Sequence, residues 1–234
     1  MNGSFYHERR GIILNNVKLL KIYSEAGRLF NQKGYANTKM AEIAKASGIA
    51  VGTMYSAFTG KDAVLSFVIY ATLDKNYFSS EITFPIKPIE SLRLISLLTK
   101  VIDNVFGSVL NITDSKGNIR KDFMELMDEL FDLFADYLLA FDNIEKNEGI
   151  LEELSEIYWP QKLAYFEKLG MHLKLYMEKG QLRELTNIPS HVLFLTNTLT
   201  WWALNSNLSI PNEPIPRDTA KDICMGIIKR SYQP

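Results

Sequence analysis

Residues 34–61 read Gly34-Tyr35-Ala36-Asn37-Thr38-Lys39-Met40-Ala41-Glu42-Ile43-Ala44-Lys45-Ala46-Ser47-Gly48-Ile49-Ala50-Val51-Gly52-Thr53-Met54-Tyr55-Ser56-Ala57-Phe58-Thr59-Gly60-Lys61. Thr38 precedes the apolar positions Met40, Ile43 and Ala44 and is expected to cap a short helix that ends at Ser47-Gly48. A second short helix, Val51 to Phe58, follows within two or three residues, across a turn whose glycine can take a positive φ. Ile43, Ala44, Ile49, Met54 and Phe58 are expected to share one small core, with Ala44 and Ala46 small enough for a close helix crossing. Val51, Gly52, Thr53, Tyr55 and Ser56 are then left on the outer face of the second helix. A helix presented in this way fits the major groove of B-DNA.

The flanks extend the helical pattern. Ile22, Ala26, Leu29 and Phe30 recur at i, i+4, i+7 and i+8, and that helix should stop at Lys33-Gly34, a basic last turn followed by glycine. Gly60-Lys61-Asp62 opens a longer apolar helix through Leu65, Val68, Ile69, Thr72 and Leu73, before Pro85 and Pro88 break the pattern. The 234 residues carry a net charge of −1, which hides an asymmetry. Residues 1–65 hold nine Lys or Arg against four acids, +5, while residues 66–234 hold seventeen against twenty-three, −6. A basic head on an acidic body is the distribution expected of a DNA-binding domain, residues 1–65, joined to a second domain, residues 66–234.

The stretch resembles the TetR-like (TetR/AcrR) transcriptional regulators. The resemblance is carried by Ile22, Ala26, Leu29-Phe30, Gly34-Tyr35, Thr38, Ile43-Ala44, Gly48-Ile49, Gly52-Thr53-Met54-Tyr55, Phe58 and Lys61, and covers about a quarter of the chain. It implies an all-α protein, with an N-terminal three-helix helix-turn-helix domain and a C-terminal helical domain for ligand binding and dimerisation. It also implies roles by position. Thr38, Tyr55 and Lys61 would contact phosphates, Val51, Gly52, Thr53 and Ser56 would face base edges, and Lys39 and Lys45 would steer. With such small side chains, thymine-methyl contacts and shape readout should outweigh bidentate hydrogen bonds. Three positions depart from the family pattern. Ala50 replaces the usual Ser cap of the reading helix, a loss of about 1 kcal/mol; Lys39 replaces Thr; Ala57 replaces an aromatic residue or His.

Beyond the prolines the chain reads as helices from Ile89 to about Asn111, along Phe123 to Phe141, from about Leu151 to Glu178, from Pro189 to Ser206 and from Arg217 to Ser231. Pro160 predicts a kink or break in the third of these. Loops are expected at Asp114–Asn118 and Ser209–Pro216. Glu125, Asp128, Glu129, Asp132 and Asp136 are read as a solvated outer face rather than a cation site. Aromatic side chains fill the body, and Phe131, Phe134, Tyr137, Tyr165, Phe166 and His172 are the candidates for lining the effector pocket that the resemblance implies. Val192, Leu195, Thr196, Leu199, Trp202, Ala203 and Ser206 form a stripe matched by Ala220, Ile223, Cys224, Ile227 and Ile228. From it Leu195, Leu199, Trp202, Ile223 and Ile227 are expected in a four-helix homodimer interface.

The competing classes are weaker. One cysteine, Cys224, excludes an intrachain disulfide framework. His7, His172 and His191 form no metal-ligand pattern, and no Walker A, GxGxxG or GxSxG motif occurs. No enzyme, cofactor or metal is therefore expected. The N-terminus lacks a signal-peptide core and no apolar run reaches about 18 residues, so a cytoplasmic chain without a membrane partner is expected. The expected partners are double-stranded operator DNA, a small-molecule effector and a second copy of the chain. The alternative is a helical carrier or adaptor whose head does not read DNA.

Overall fold

The computed structural model describes residues 4–205 and 215–234, with side chains from Val17 to Leu204 and from Ile215 onward. Ser206 and the loop residues Ser209 to Pro214 lie outside the described residues. The helices are α1 (Ser4–Asn37), α2 (Met40–Ala46), α3 (Val51–Ala57), α4 (Lys61–Leu73), α5 (Ser91–Lys100), α6 (Phe123–Lys146), α7 (Glu152–Glu178), α8 (Ile188–Asn205) and α9 (Arg217–Tyr232). After α5 the chain winds on through a π-helical stretch, Val101–Phe106, and a last turn, Gly107–Val109. Among the described residues there is no strand, and only two isolated bridges, Phe58 with Ile86 and Thr113 with Ile119. The fold is all-α, as expected. Of the kink or break expected at Pro160, the break does not occur: α7 is continuous across it.

The chain divides into two compact units. The first comprises Met1–Leu98 and Leu139–Glu156; the second comprises Thr99–Leu138 and Ile157–Pro234. The unit that holds the helix-turn-helix therefore extends well past residue 65. The reason is α4, in which every residue from Ala63 to Leu73 is buried and which packs along α1. Such a helix, apolar all round, needs cover on every side. Tyr23 and Thr72 join α1 to α4 by a 2.9 Å hydroxyl contact, and Phe58, Phe67, Tyr70, Tyr77 and Phe78 build an edge-packed aromatic cluster around it. Burying each such ring contributes about 1.5–3 kcal/mol.

In the second unit, Phe123 of α6 packs its ring against Tyr176 of α7 and Tyr232 of α9. The Tyr176 hydroxyl donates to the Lys121 carbonyl at 2.9 Å. The acidic row of α6 is not simply a solvated face. Asp132 and Asp136 pair with Arg217 at 2.8 Å, and Asp128 and Asp132 pair with Lys221 at 2.8 and 2.7 Å. Glu129 pairs with Lys121. Ion pairs of this kind are invisible in the periodicity of one helix, because the bases come from a helix about ninety residues away.

Candidate nucleic-acid interface

The turn between α2 and α3 is a glycine cap. Gly48 takes φ 67°, its N–H donates to Lys45 O at 3.2 Å, and the Ile49 N–H reaches back to Ala44 O at 3.0 Å. This is the Schellman pattern, which satisfies the last carbonyls of α2 and turns the chain sharply. At the other end of α2, Lys39 is the N-cap residue, and the Glu42 carboxylate accepts its N–H at 3.0 Å. Glu42 also takes the Lys33 ammonium at 2.9 Å, and these two donors hold its carboxyl below the usual range. The core beneath is Met40, Ile43, Ala44, Met54 and Phe58, all buried. Ile49 is half-buried and Ala46 exposed, so the close approach expected at Ala46 is not made there; Ser47 is the buried neighbour.

α3 stands on that core by one side chain, Met54, which is fully buried. Val51, Gly52, Thr53, Tyr55 and Ser56 are all exposed, Val51 to 42% and Tyr55 to 57%. An aliphatic and an aromatic side chain held out in water on one short helix are available to a partner surface that would bury them. Ala50 is the N-cap and makes no side-chain cap bond. Ser56 donates its hydroxyl to Gly52 O at 3.0 Å, leaving it as an acceptor toward any partner. Lys39, the N-cap of α2, and Lys45, within it, are exposed.

One of the expected phosphate contacts is corrected, and a second has partners within the head. Thr38 lies one residue before the cap and is fully buried, and its hydroxyl bonds Gly34 O at 2.8 Å and Leu29 O at 3.3 Å. It staples the end of α1 and has no surface left to meet a phosphate. Lys61 places its ammonium on two carbonyls, Tyr35 O at 2.7 Å and Thr38 O at 3.0 Å, with the Tyr35 ring 4.1 Å away. It joins the first turn of α4 to the α1–α2 corner. The far end of α3 is fixed from a place the sequence did not suggest. Ile86 N–H donates to Ala57 O at 2.8 Å, and Thr59 N–H donates to Ile86 O at 3.0 Å. The only sequence signal for this contact is a buried-type residue one position after Pro85, in a connection otherwise read as loop.

The other expected sites fall as follows. In the second unit, Phe131, Phe134 and Tyr137 are buried, and Phe134 meets the rings of Phe106 and Tyr165 edge-on at 6.3 and 6.0 Å. The Tyr165 hydroxyl contacts Thr196 at 3.1 Å, Phe166 is half-buried, and His172 bonds Leu110 O through Nε2 at 2.9 Å. Burial depresses the His172 pKa against the opposing effect of that carbonyl. In the interface stripe, Leu195 and Leu199 are fully buried within the chain, so they are corrected to core; Trp202 is half-buried. Ile223 and Ile227 are exposed, together with Leu193, Phe194 and Trp201. In the first unit a cavity of about 350 Å³ lies between Tyr70, Tyr77, Ile86 and Arg93, and its rim carries both signs, Lys87 and Arg93 with Asp74 and Glu81. Among the described residues no group of His, Cys, Asp and Glu is placed to hold a metal, and no helix is long and apolar enough to cross a membrane.

Residues 22–66 match the family model of bacterial regulatory proteins, tetR family. The head is a TetR-type domain. No curated protein matches the chain. Among solved structures, the TetR family regulator PfmR of Thermus thermophilus is similar over 88% of this chain and 90% of its own, at 18% identity and a TM-score of 0.45. The ketosteroid transcriptional regulator KstR2 of Mycobacterium tuberculosis is similar over 91% and 93%, at 14% identity and a TM-score of 0.51. With the second of these, the likeness of fold runs through nearly the whole chain, beyond the matched head. Head and fold together support a DNA-binding transcriptional regulator.

Proposed function

We propose that the chain is a repressor that binds a pseudo-palindromic operator as a homodimer and is released by a small-molecule effector. The observation that carries this reading is α3, held by Met54 and presenting Val51, Gly52, Thr53, Tyr55 and Ser56 to solvent. With Lys61 and Thr38 occupied inside the head, phosphate contact rests on Tyr55, Lys39 and Lys45, and base-edge contact on Val51, Gly52, Thr53 and Ser56. Two heads about one helical turn apart along the duplex require a symmetric dimer. The exposed apolar side chains of α8 and α9 support one, because five large apolar residues left in water on two adjacent helices are covered by a second copy. The aromatic cluster of Phe106, Phe134, Tyr165 and Phe166 supports a body that holds an apolar effector. Effector binding would act through α4, whose first turn is tied to the reading domain by Lys61, and change the spacing of the two heads.

The test is selection of duplexes from a random library by the intact protein. An inverted repeat with half-sites about 10 base pairs apart, or a multiple of it, is expected. Recovery of sequences with no shared motif would refute sequence-specific reading and leave the carrier or adaptor alternative.

A further inference from the structure

The helix α1 is interrupted near its end, and the interruption exposes a donor. Gly34 takes φ 77° and ψ 164°, outside the helical region, where a side chain would be strained. The break withdraws the Tyr35 N–H from the helical ladder, and a buried amide without an acceptor is costly. The acceptor comes from the end of α6. The Asn147 side-chain oxygen lies 2.5 Å from the Tyr35 nitrogen, and the Asn147 side-chain amide donates to Asn143 O at 2.8 Å. Asn147 is itself buried, 4% exposed.

Asn147 is the last rung of a polar seam. The Asn143 amide donates to Gly27 O at 3.2 Å, and the Asn31 amide donates to Asp142 at 3.2 Å. At Gly27 a Cβ would stand 2.9 Å from the Leu139 side chain, so α1 and the last turns of α6 approach closely there. The rungs climb in the same sense on both helices, from Gly27 with Asn143 to Tyr35 with Asn147. Polar rungs in a buried seam fix register, because a shift leaves each amide unpaired. The same Tyr35 that Asn147 holds by its N–H is held by Lys61 at its carbonyl, and three residues later Thr38 leads into α2.

We infer that Asn147 is a positioning residue for DNA reading: it fixes the Gly34–Tyr35 corner on which α2 and α3 stand, and makes the end of α6 an input to the head beside α4. This rests on the reading of α3 as the DNA-contacting helix. A rotation or axial shift of α6 that removes the Asn147 oxygen releases the corner, and the reading helix loses its fixed orientation without any change in its own residues.

The experiment uses the full chain, a duplex selected by the wild type, and poly(dI-dC) as the sequence-independent competitor. Asn147→Ala is compared with Asn143→Ala, which removes a rung of the same seam and leaves the Tyr35 N–H held. Asn147→Ala is expected to speed hydrogen exchange at the Tyr35 amide at least tenfold and to weaken selected-duplex binding about tenfold. Binding to poly(dI-dC) should be unchanged, because the basic face is intact. Asn143→Ala should lower the melting temperature with less than a threefold loss of selected-duplex affinity. An equal loss in both variants, or faster Tyr35 exchange with unchanged affinity, overturns the positioning role. Should Asn147→Ala fail to fold, the wild type decides. Binding of the selected duplex is expected to slow Tyr35 exchange at least tenfold, and unchanged exchange overturns the inference. If the wild type selects no duplex, the DNA-reading assignment fails first, while Tyr35 exchange still reports whether the corner is held by Asn147.

Discussion

The ammonium of Lys61 lies 2.7 Å from the carbonyl oxygen of Tyr35, across twenty-six residues of sequence. A cation in the first turn of a helix opposes the helix dipole, so its place there needs another cause. That cause is the carbonyl end of α1, where the ammonium meets two oxygens and the Tyr35 ring. Lys61 is thereby a connector within the head.

Lys61→Met keeps the aliphatic stem and removes the donors. It is expected to destabilise the protein by about 1–3 kcal/mol, the range for hydrogen bonds to a charged group, with a melting temperature lower by several degrees. The slope of log affinity against log salt should stay within about half a unit of the wild type. A slope lowered by about one unit at unchanged stability would place the ammonium on a phosphate instead.

The ion pairs between α6 and α9 set a pH window. Burial works to raise the Asp132 carboxyl, but the bonds from Lys221 and Arg217 outweigh it and leave it lowered. A lowered folded value means stability that is complete above the unfolded carboxylate pKa, about 3.9, and is lost as pH falls through the folded value. Lys221 runs the other way. Burial lowers it, the bonds to Asp128 and Asp132 outweigh that, and it ends raised. Its contribution is complete below the unfolded lysine pKa, about 10.4, and is lost as pH rises through the folded value. Because the aspartates are about half exposed, Lys221→Met should cost only about 0.5–1 kcal/mol at neutral pH, and less in 1 M salt. Urea midpoints for the variant at pH 7 in low and high salt check both statements.

His172 contributes a second acid-side loss. Burial lowers its pKa, so unfolding takes up a proton as pH falls through about 6.5, and stability declines from there down to the folded value. His172→Gln retains an amide donor toward the Leu110 carbonyl and removes the titration. The wild type should lose more stability than the variant between pH 7.5 and 5.5, measured by urea unfolding; parallel losses would show that His172 takes its proton equally in both states.

The last two helices separate core from interface. Leu195→Ala and Leu199→Ala should each cost about 2–5 kcal/mol and leave the association state unchanged, since both side chains are buried within the chain. Ile223→Lys with Trp201→Lys should leave the fold stable and yield a monomer by sedimentation equilibrium at micromolar concentration. A dimer that survives the double substitution would place the interface elsewhere.

What the sequence reveals here is what depends on neighbours a few residues away. The α2–α3 turn is legible because Gly48 and the spacing of Ile43, Ala44 and Met54 act within about a dozen residues of chain. The exposed set on α3 is legible for the same reason. A polar side chain beside a helix start, such as Thr38 or Lys61, looks alike in sequence whether it faces solvent or a carbonyl in the next helix. The acidic row of α6 read as solvated because Arg217 and Lys221 are some eighty to ninety residues distant. Leu195 and Leu199 were drawn into the interface because an apolar stripe shows that a face is buried and does not show what covers it. The contacts of Ile86 and Asn147 depend on chain returns that no local pattern encodes.

Thr53 decides whether the exposed residues of α3 read base sequence. Thr53 is exposed and makes no contact that the fold requires, so Thr53→Ala and Thr53→Gln should melt within about 1 kcal/mol of the wild type. Duplex selection should be repeated with each variant. Base preference is expected to change at one symmetry-related position in each half-site, with a discrimination of about 1–3 kcal/mol there, while the rest of the selected motif stays the same. Identical selected motifs from the wild type and both variants would contradict base reading by α3.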